Sequence, residues 1–347
     1  MKGKMLLILV EICEKRLDVL FEGLGLLGNS LILLVSLVVL DKASDWAITN
    51  SVKIADITGI GKTTIGFILV AFSTSLPELC VSIFAAIGGE SIGVAIGNVL
   101  GSNIVNICLI LGVCFLIAAL KSSEAVKLAP AMAKEEISTL YFGLFVASVV
   151  PLVLLYIGFA SMVIGVILIA IFIFYVYQLS KVRKIREEGS LGEERRKLPI
   201  YAFFALLGIA LVVASSYFIV DSATFIANKL EIPKVVIGAT IVAFGTSLPE
   251  LATSIDAVQK GHLDLALGNI VGSCFINITC ILGVALVSAK LAVNMAAFSH
   301  LVMFSLITNL LLWYFLSSER ISWREGTILL IMYIIFLVTS YGGGYRT

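Results

Sequence analysis

The sequence predicts an all-α polytopic membrane protein, with ten transmembrane helices in two inverted-topology repeats of five. Three observations carry that prediction. The 347 residues are 60% hydrophobic and only 14% charged, with a mean hydropathy of +1.09, more apolar than a soluble domain of this size needs. Two segments recur: GFILVAFSTSLPEL (66–79) returns as GATIVAFGTSLPEL (238–251), and GNVLGSNIVNICLILGV (97–113) returns as GNIVGSCFINITCILGV (268–284). One long charged stretch, KVRKIREEGSLGEERRK (181–197), separates the apolar segments into two sets of five.

A helix needs about 20 apolar residues to cross the hydrocarbon. On that ruler the first five spans fall at 20–40, 64–88, 91–117, 137–156 and 159–179, and the second five at 200–220, 235–259, 262–288, 294–316 and 324–341. The chain divides into an N-terminal repeat (1–180), a charged linker (181–198) and a C-terminal repeat (199–347). Five is an odd number, so the second copy must enter the membrane upside down, the plan of many secondary transporters. With the linker cytoplasmic, the segments on its side hold 16 of the 24 Lys and Arg residues, in agreement with the positive-inside rule. Both termini then face outward, although the basic cluster Lys2, Lys4, Lys15 and Arg16 argues for the reverse. Residues 5–12 look like a signal h-region, but no small-residue cleavage site follows, so the segment is expected to be retained.

Other classes find little support. A net charge of +1 and the absence of a basic run suited to phosphates leave no case for nucleic acid. The six cysteines (13, 80, 108, 114, 274, 280) show no CxxC spacing and mostly lie in apolar helices, as small buried hydrophobes do. No nucleophile–base constellation accompanies the two histidines, His262 and His300, so an enzyme is not expected.

The repeated motifs carry the chemistry. Each puts one glutamate, Glu78 or Glu250, inside a lipid-length helix, where an ionised carboxylate costs about 2.5–3.5 kcal/mol on insertion scales. Pro77 and Pro249 precede them. Proline removes a backbone donor and kinks the helix, and freed carbonyls are tolerated in a membrane only where protein, water or an ion satisfies them. Thr74, Ser75, Thr246 and Ser247 add hydroxyls at the break, giving hard oxygen ligands of the kind Ca²⁺ and Na⁺ prefer. On the following spans Asn98, Ser102 and Asn106, and likewise Asn269, Ser273 and Asn277, recur every four residues on one helix face. The pairs Gly97/Gly101 and Gly268/Gly272 permit close helix approach. Glu22, Glu90, Asp221 and Asp264 fall near span ends, where hydration is the default. Asp256 has no counterpart in the first repeat and is expected to be solvated or to line a mouth.

With these residues in view, the chain resembles the calcium/cation antiporter superfamily, which includes sodium/calcium and proton/calcium exchangers. That family has two inverted five-span halves, each with G-T-S-L-P-E followed by G-N-x-x-G-S-x-x-x-N/D. Here the first reads Ser73 to Glu78, with serine for glycine, and the second Gly245 to Glu250 without departure. The resemblance implies that Glu78 and Glu250 bind Ca²⁺, helped by oxygens around Thr74 and Thr246. It also implies that Ser75, Ser247, Ser102, Ser273, Asn106 and Asn277 surround neighbouring cation positions, with carbonyls from Ala71 and Ala243. In compact sodium/calcium exchangers the position of Asn277 is commonly an aspartate, so the asparagine weighs against sodium coupling. The resemblance further suggests that the first and sixth spans act as a mobile pair sliding across a stiff core of the other eight, and the small residues of 23–36 (Gly23, Gly25, Gly28, Ser30, Ser36) would suit that contact.

Charge arithmetic points to antiport. Two glutamates with one Ca²⁺ sum to zero, as do two protonated glutamates, whereas the bare doubly charged site is costly to occlude. Exchange of Ca²⁺ for H⁺ is therefore the expected activity, with Na⁺/Ca²⁺ exchange at the same site as the alternative. A cation channel is a remote third, since it would not need inverted repeats. No cofactor is expected beyond the transported Ca²⁺ and its counter-ion. The compact chain suggests a prokaryotic plasma membrane, and the sequence leaves the oligomeric state open.

Overall fold

The computed structural model describes residues 2–58, 74–87, 92–121, 126–127, 134–182, 194–289, 293–318 and 320–342, almost all of them helical. The helices are α1 (Lys2–Thr58), α2 (Leu76–Ile87), α3 (Ile92–Lys121), α4 (Lys134–Ile157), α5 (Met162–Val182) and α6 (Leu198–Lys229). They continue with α7 (Lys234–Thr246), α8 (Leu248–Gln259), α9 (Leu263–Ser288), α10 (Ser299–Ser317) and α11 (Trp323–Tyr341). Helix α1 is interrupted at Gly25, whose φ of 62° and ψ of −167° suit only a residue without Cβ. Helix α11 opens with a capping box, Ser322 and Glu325 satisfying each other's backbone donors.

Among the described residues seven helices are long and apolar enough to cross a membrane. They are Gly23–Ala47 within α1, α3, Leu140–Ile157 within α4, α6, α9, Met295–Ser317 and α11. The bent pair α7–α8 makes an eighth. The second and fifth expected spans are represented by the shorter apolar helices Leu76–Ile87 and Met162–Tyr177; residues 64–73 of the second lie outside the described residues. The chain is thus a helical, multi-pass integral membrane protein.

The core is built on α3 and α9. In α9, 89% of the apolar window is inside the protein, against 22% in α11, so α9 is central and α11 peripheral. Glycines bring α3 against α7: a Cβ on Gly97 would lie 2.5 Å from the Val235 carbonyl, and one on Gly101 2.4 Å from Ala239 Cα. Three stretches widen into π-helix, at Val105–Leu111 in α3, Gly238–Val242 in α7 and Asn277–Ile281 in α9, a distortion frequent at functional sites.

Helix α1 packs along α6, and a Cβ on Gly208 would lie 2.7 Å from both Ala43 O and Ala47 N. That contact lies within the expected mobile pair; toward the core, a Cβ on Gly245 would lie 2.1 Å from Leu37 Cδ2 of α1. Gly23 and Gly25 face nothing within 4 Å among the described residues, and the nearest neighbour of a Cβ on Gly28 is Leu24 of its own helix. Two short strand pairs tie loops together. Strand β1 (Val126–Lys127) pairs antiparallel with β4 (Arg320–Ile321), and β2 (Phe159–Ala160) with β3 (Val293–Asn294).

Candidate cation-binding site

A broken helix carries Glu250 to the middle of the core, and Glu78 reaches it at the start of α2. Helices α7 and α8 meet at Ser247 with a bend of 46°, and Pro249, lacking an N–H, cannot bond the carbonyl of Gly245. In the first repeat Thr74 and Ser75 lead into α2, with Pro77 in the equivalent place. Glu78 and Glu250 consequently occupy the first turns of α2 and α8, where unpaired N–H groups and the helix dipole favour negative charge. Both glutamates are 0% exposed, and Thr74, Thr246, Ser75, Ser247, Ser102, Ser273, Asn106 and Asn277 are buried with them.

The contacts cross between the repeats. Ser247 Oγ donates to Glu78 Oε1 at 3.0 Å, while Ser75 Oγ donates to Glu250 Oε1 at 3.3 Å. Thr246 stands beside Glu78 and Thr74 beside Glu250, and the two carboxylates are close enough for their charges to interact. Ser273 Oγ donates to Glu250 Oε1 at 3.2 Å, lies 3.0 Å from Ser75 Oγ, and accepts from Asn106 Nδ2 at 3.2 Å. The paired asparagines nearer the helix starts brace the breaks. Asn98 Nδ2 donates to Glu78 O and Ser82 Oγ, and its Oδ1 accepts from Thr246 Oγ1. Asn269 Nδ2 donates to Thr253 and Ser254.

What these residues leave unsatisfied is as informative. Glu78 Oε2, Glu250 Oε2, Ser102 Oγ, Asn106 Oδ1 and Asn277 Oδ1 are buried without a hydrogen-bond partner. Orphaned buried oxygens are rare in proteins because each forfeits its hydration. These five, two of them on carboxylates, are hard oxygens of the kind Ca²⁺ takes, and nine further buried polar atoms among the described residues share their unpartnered state. Among the described residues no cluster of three or more His, Cys, Asp or Glu occurs, so the ionised set carries two negative charges beside neutral oxygens.

Not every expected ligand is placed alike. Ala71 lies outside the described residues. The Ala243 carbonyl already accepts from Ser247 N and Thr246 Oγ1. Asn103, which is not among the expected site residues, is fully buried and bonded to Asn277; its signal in the sequence is a third asparagine on an apolar helix. Asp256 is 60% exposed on its side chain and pairs with Lys260 at 2.6 Å, a solvated pair rather than a site group. Asp256→Asn is expected to change stability by less than about 0.5 kcal/mol and leave Ca²⁺ flux at the wild-type rate, measured by thermal melting and vesicle uptake. His300 is structural, its Nε2 lying 3.1 Å from Thr339 Oγ1.

The family model described as sodium/calcium exchanger protein matches residues 29–181 and 200–342, both halves of the chain. This chain belongs to the sodium/calcium exchanger family. The exchanger is 33% identical to sodium/calcium exchanger MaX1 of Methanosarcina acetivorans, over 90% of its own length and 98% of that protein. It is 32% identical to inner membrane protein YrbG of Escherichia coli, over 89% and 96%. Among solved structures, the sodium-calcium exchanger NCX_Mj superposes with a TM-score of 0.64 at 28% identity, covering 90% of the exchanger and 99% of that chain. Membership makes the exchanger a transporter, a Ca²⁺/cation antiporter of the compact prokaryotic type.

Proposed function

We propose that the exchanger carries Ca²⁺ on Glu78 and Glu250 and returns protons on the same carboxylates. The observation that carries this reading is the buried pair itself, each glutamate holding one hydrogen-bonded oxygen and one without a partner. Among the described residues its hydrogen-bond partners are neutral hydroxyls. One Ca²⁺ or two protons neutralise such a site, and occlusion disfavours anything else. The passengers therefore exclude each other, and only loaded protein crosses.

Alternating access by ten spans in inverted repeats completes the proposal. Strand β1 follows α3 as β3 follows α9, and β2 follows α4 as β4 follows α10. Had the repeats run parallel, β1 and β3 would share a membrane face. Instead β1 pairs with β4 and β2 with β3, which supports equivalent loops on opposite faces. Lys121 Nζ also reaches the Gln259 carbonyl, joining two loops that the positive-inside rule puts together. The α1–α6 pair, packed chiefly on itself at the edge of the core, is the proposed moving part.

Sodium is the second reading, favoured because MaX1 and NCX_Mj are named as sodium/calcium exchangers. Proteoliposomes crossing pH and sodium gradients decide between them. Ca²⁺ uptake driven by a pH gradient without sodium is expected, with the apparent KM for Ca²⁺ rising as pH falls because the proton-loaded form excludes Ca²⁺. Uptake that requires sodium and ignores pH would establish the second reading instead.

A further inference from the structure

We propose that Asn103 is a positioning residue that fixes the amide of Asn277, so that cation preference is set by the pair rather than by position 277 alone. The inference rests on transport occurring at the Glu78–Glu250 site. Its starting point is a group whose polarity chemistry fixes. The backbone carbonyl of Cys274 can only accept, and Asn103 Nδ2 donates to it at 3.4 Å. The Asn103 amide therefore presents its oxygen at the other end, and Asn277 Nδ2 donates to that oxygen at 3.0 Å. Asn277 Oδ1 closes the chain, buried and without a partner. It stands on the π-helical turn Asn277–Ile281, which packs against α2 and α3, the helices that carry Glu78 and Ser102.

The repeats differ here. The counterpart of Asn103 is Cys274, so Asn106 has no amide anchor equivalent to the one behind Asn277. Asn106 donates instead to Ser273 Oγ, a hydroxyl already beside Glu250. The two asparagine oxygens offered to the cation are thus oriented by different chemistry.

A consequence follows for position 277. An ionised aspartate there would face the Asn103 oxygen with no proton between them, two acceptors in a fully buried setting. Coulomb's law alone says that a third carboxylate should tighten the site for a divalent cation. The Asn103 anchor reverses that sign, because the new carboxylate is repelled by its neighbour or must hold a proton.

The test is Ca²⁺ flux in proteoliposomes at neutral pH with KM and Vmax separated. Asn277→Asp is expected to raise the KM for Ca²⁺ about tenfold. Asn103→Leu, which removes the anchor at similar volume, is expected to raise KM by about tenfold with Vmax within about threefold, since the freed amide can turn its nitrogen toward the cation. The double variant Asn103→Leu/Asn277→Asp is expected to return KM to the wild-type value or below, a rescue that a merely structural role for Asn103 would not give. Tighter Ca²⁺ binding by Asn277→Asp alone, or strictly additive KM changes in the double variant, would overturn the proposal. If Asn103→Leu does not fold, the sign of the Asn277→Asp change decides. Glu78→Gln run alongside separates the two levels. Wild-type flux in that variant removes the site assignment and this inference with it, whereas a dead Glu78→Gln with a tightened Asn277→Asp removes only the role of Asn103.

Discussion

Glu78→Gln and Glu250→Gln are each expected to abolish Ca²⁺ exchange while leaving the fold intact. Glutamine has the shape of glutamate and keeps an oxygen to accept from Ser247 or Ser75, the bonds seen at 3.0 and 3.3 Å. What it removes is one of the two charges that neutralise the dication. A buried charge left uncompensated costs about 3–5 kcal/mol, which corresponds to roughly a 10²- to 4 × 10³-fold loss of Ca²⁺ affinity. The counter-transport leg fails as well, because one carboxylate can return only one proton. Stability should move the other way: without Ca²⁺ the wild type confines two interacting carboxyl groups in a fully buried site, and each glutamine relieves that. The pattern to look for is a melting temperature at or above wild type with ⁴⁵Ca²⁺ uptake at background. The double variant should be no worse than either single one, since the two residues act as a unit. Uptake within threefold of wild type in either single variant would detach the glutamates from transport.

The parts of this site that could be read from sequence are those that occur twice. Repetition separates Glu78 and Glu250 from ordinary interfacial acids, and the same filter picks out the threonines, serines and asparagines around them. It is blind to three features. Asn103 has no repeated partner, since Cys274 stands in its place, and its importance arises from Asn277 on another helix. Nor does a sequence motif show that its hydroxyls serve the other copy's carboxylate. Ser75 and Glu78 are near neighbours in the chain, yet Ser75 bonds Glu250, because the helix break turns the two side chains apart and the pseudo-symmetric partner lies across the site. The π-helical widening at Asn106 and Asn277 was equally hidden, as spacing by four fits an α-helical face and a π-helical one. Small residues in 23–36 pointed to a helix contact, but exposure along α1 shows that much of this stretch faces outward, Leu27 being 88% exposed. Membrane helices carry apolar residues on both their lipid and their core faces, so hydropathy alone cannot say which face is which.

Gly101→Val is expected to cause the largest loss of stability, and with it the loss of the site. The glycines of α3 form a graded series against α7. A Cβ on Gly93 would stand 3.4 Å from Lys234 Cβ, an ordinary contact, whereas on Gly97 it would be 2.5 Å from the Val235 carbonyl and on Gly101 2.4 Å from both Ala239 Cα and Ala239 O. Backbone atoms cannot rotate away as a side chain can, so at Gly101 the two helices must separate. Overpacking of well-packed interiors costs about 1–3 kcal/mol and more where nothing yields; a branched side chain here belongs at about 3 kcal/mol or above. Separation also acts on function, because α3 and the α7–α8 break are joined by the Thr246–Asn98 bond at 3.1 Å, and Asn98 in turn holds the Glu78 carbonyl. Gly93→Ala is the matched control on the same helix and against the same partner. It should leave stability unchanged or raise it by about 0.5–1 kcal/mol, the usual gain from replacing a helical glycine. Thermal melting of the purified variants, paired with Ca²⁺ flux, should rank them Gly93→Ala, Gly97→Ala, Gly101→Ala and Gly101→Val in order of increasing damage. A wild-type melting temperature for Gly101→Val would mean that α3 and α7 do not approach as closely as the glycines allow, and that the site's alignment depends on something other than this contact.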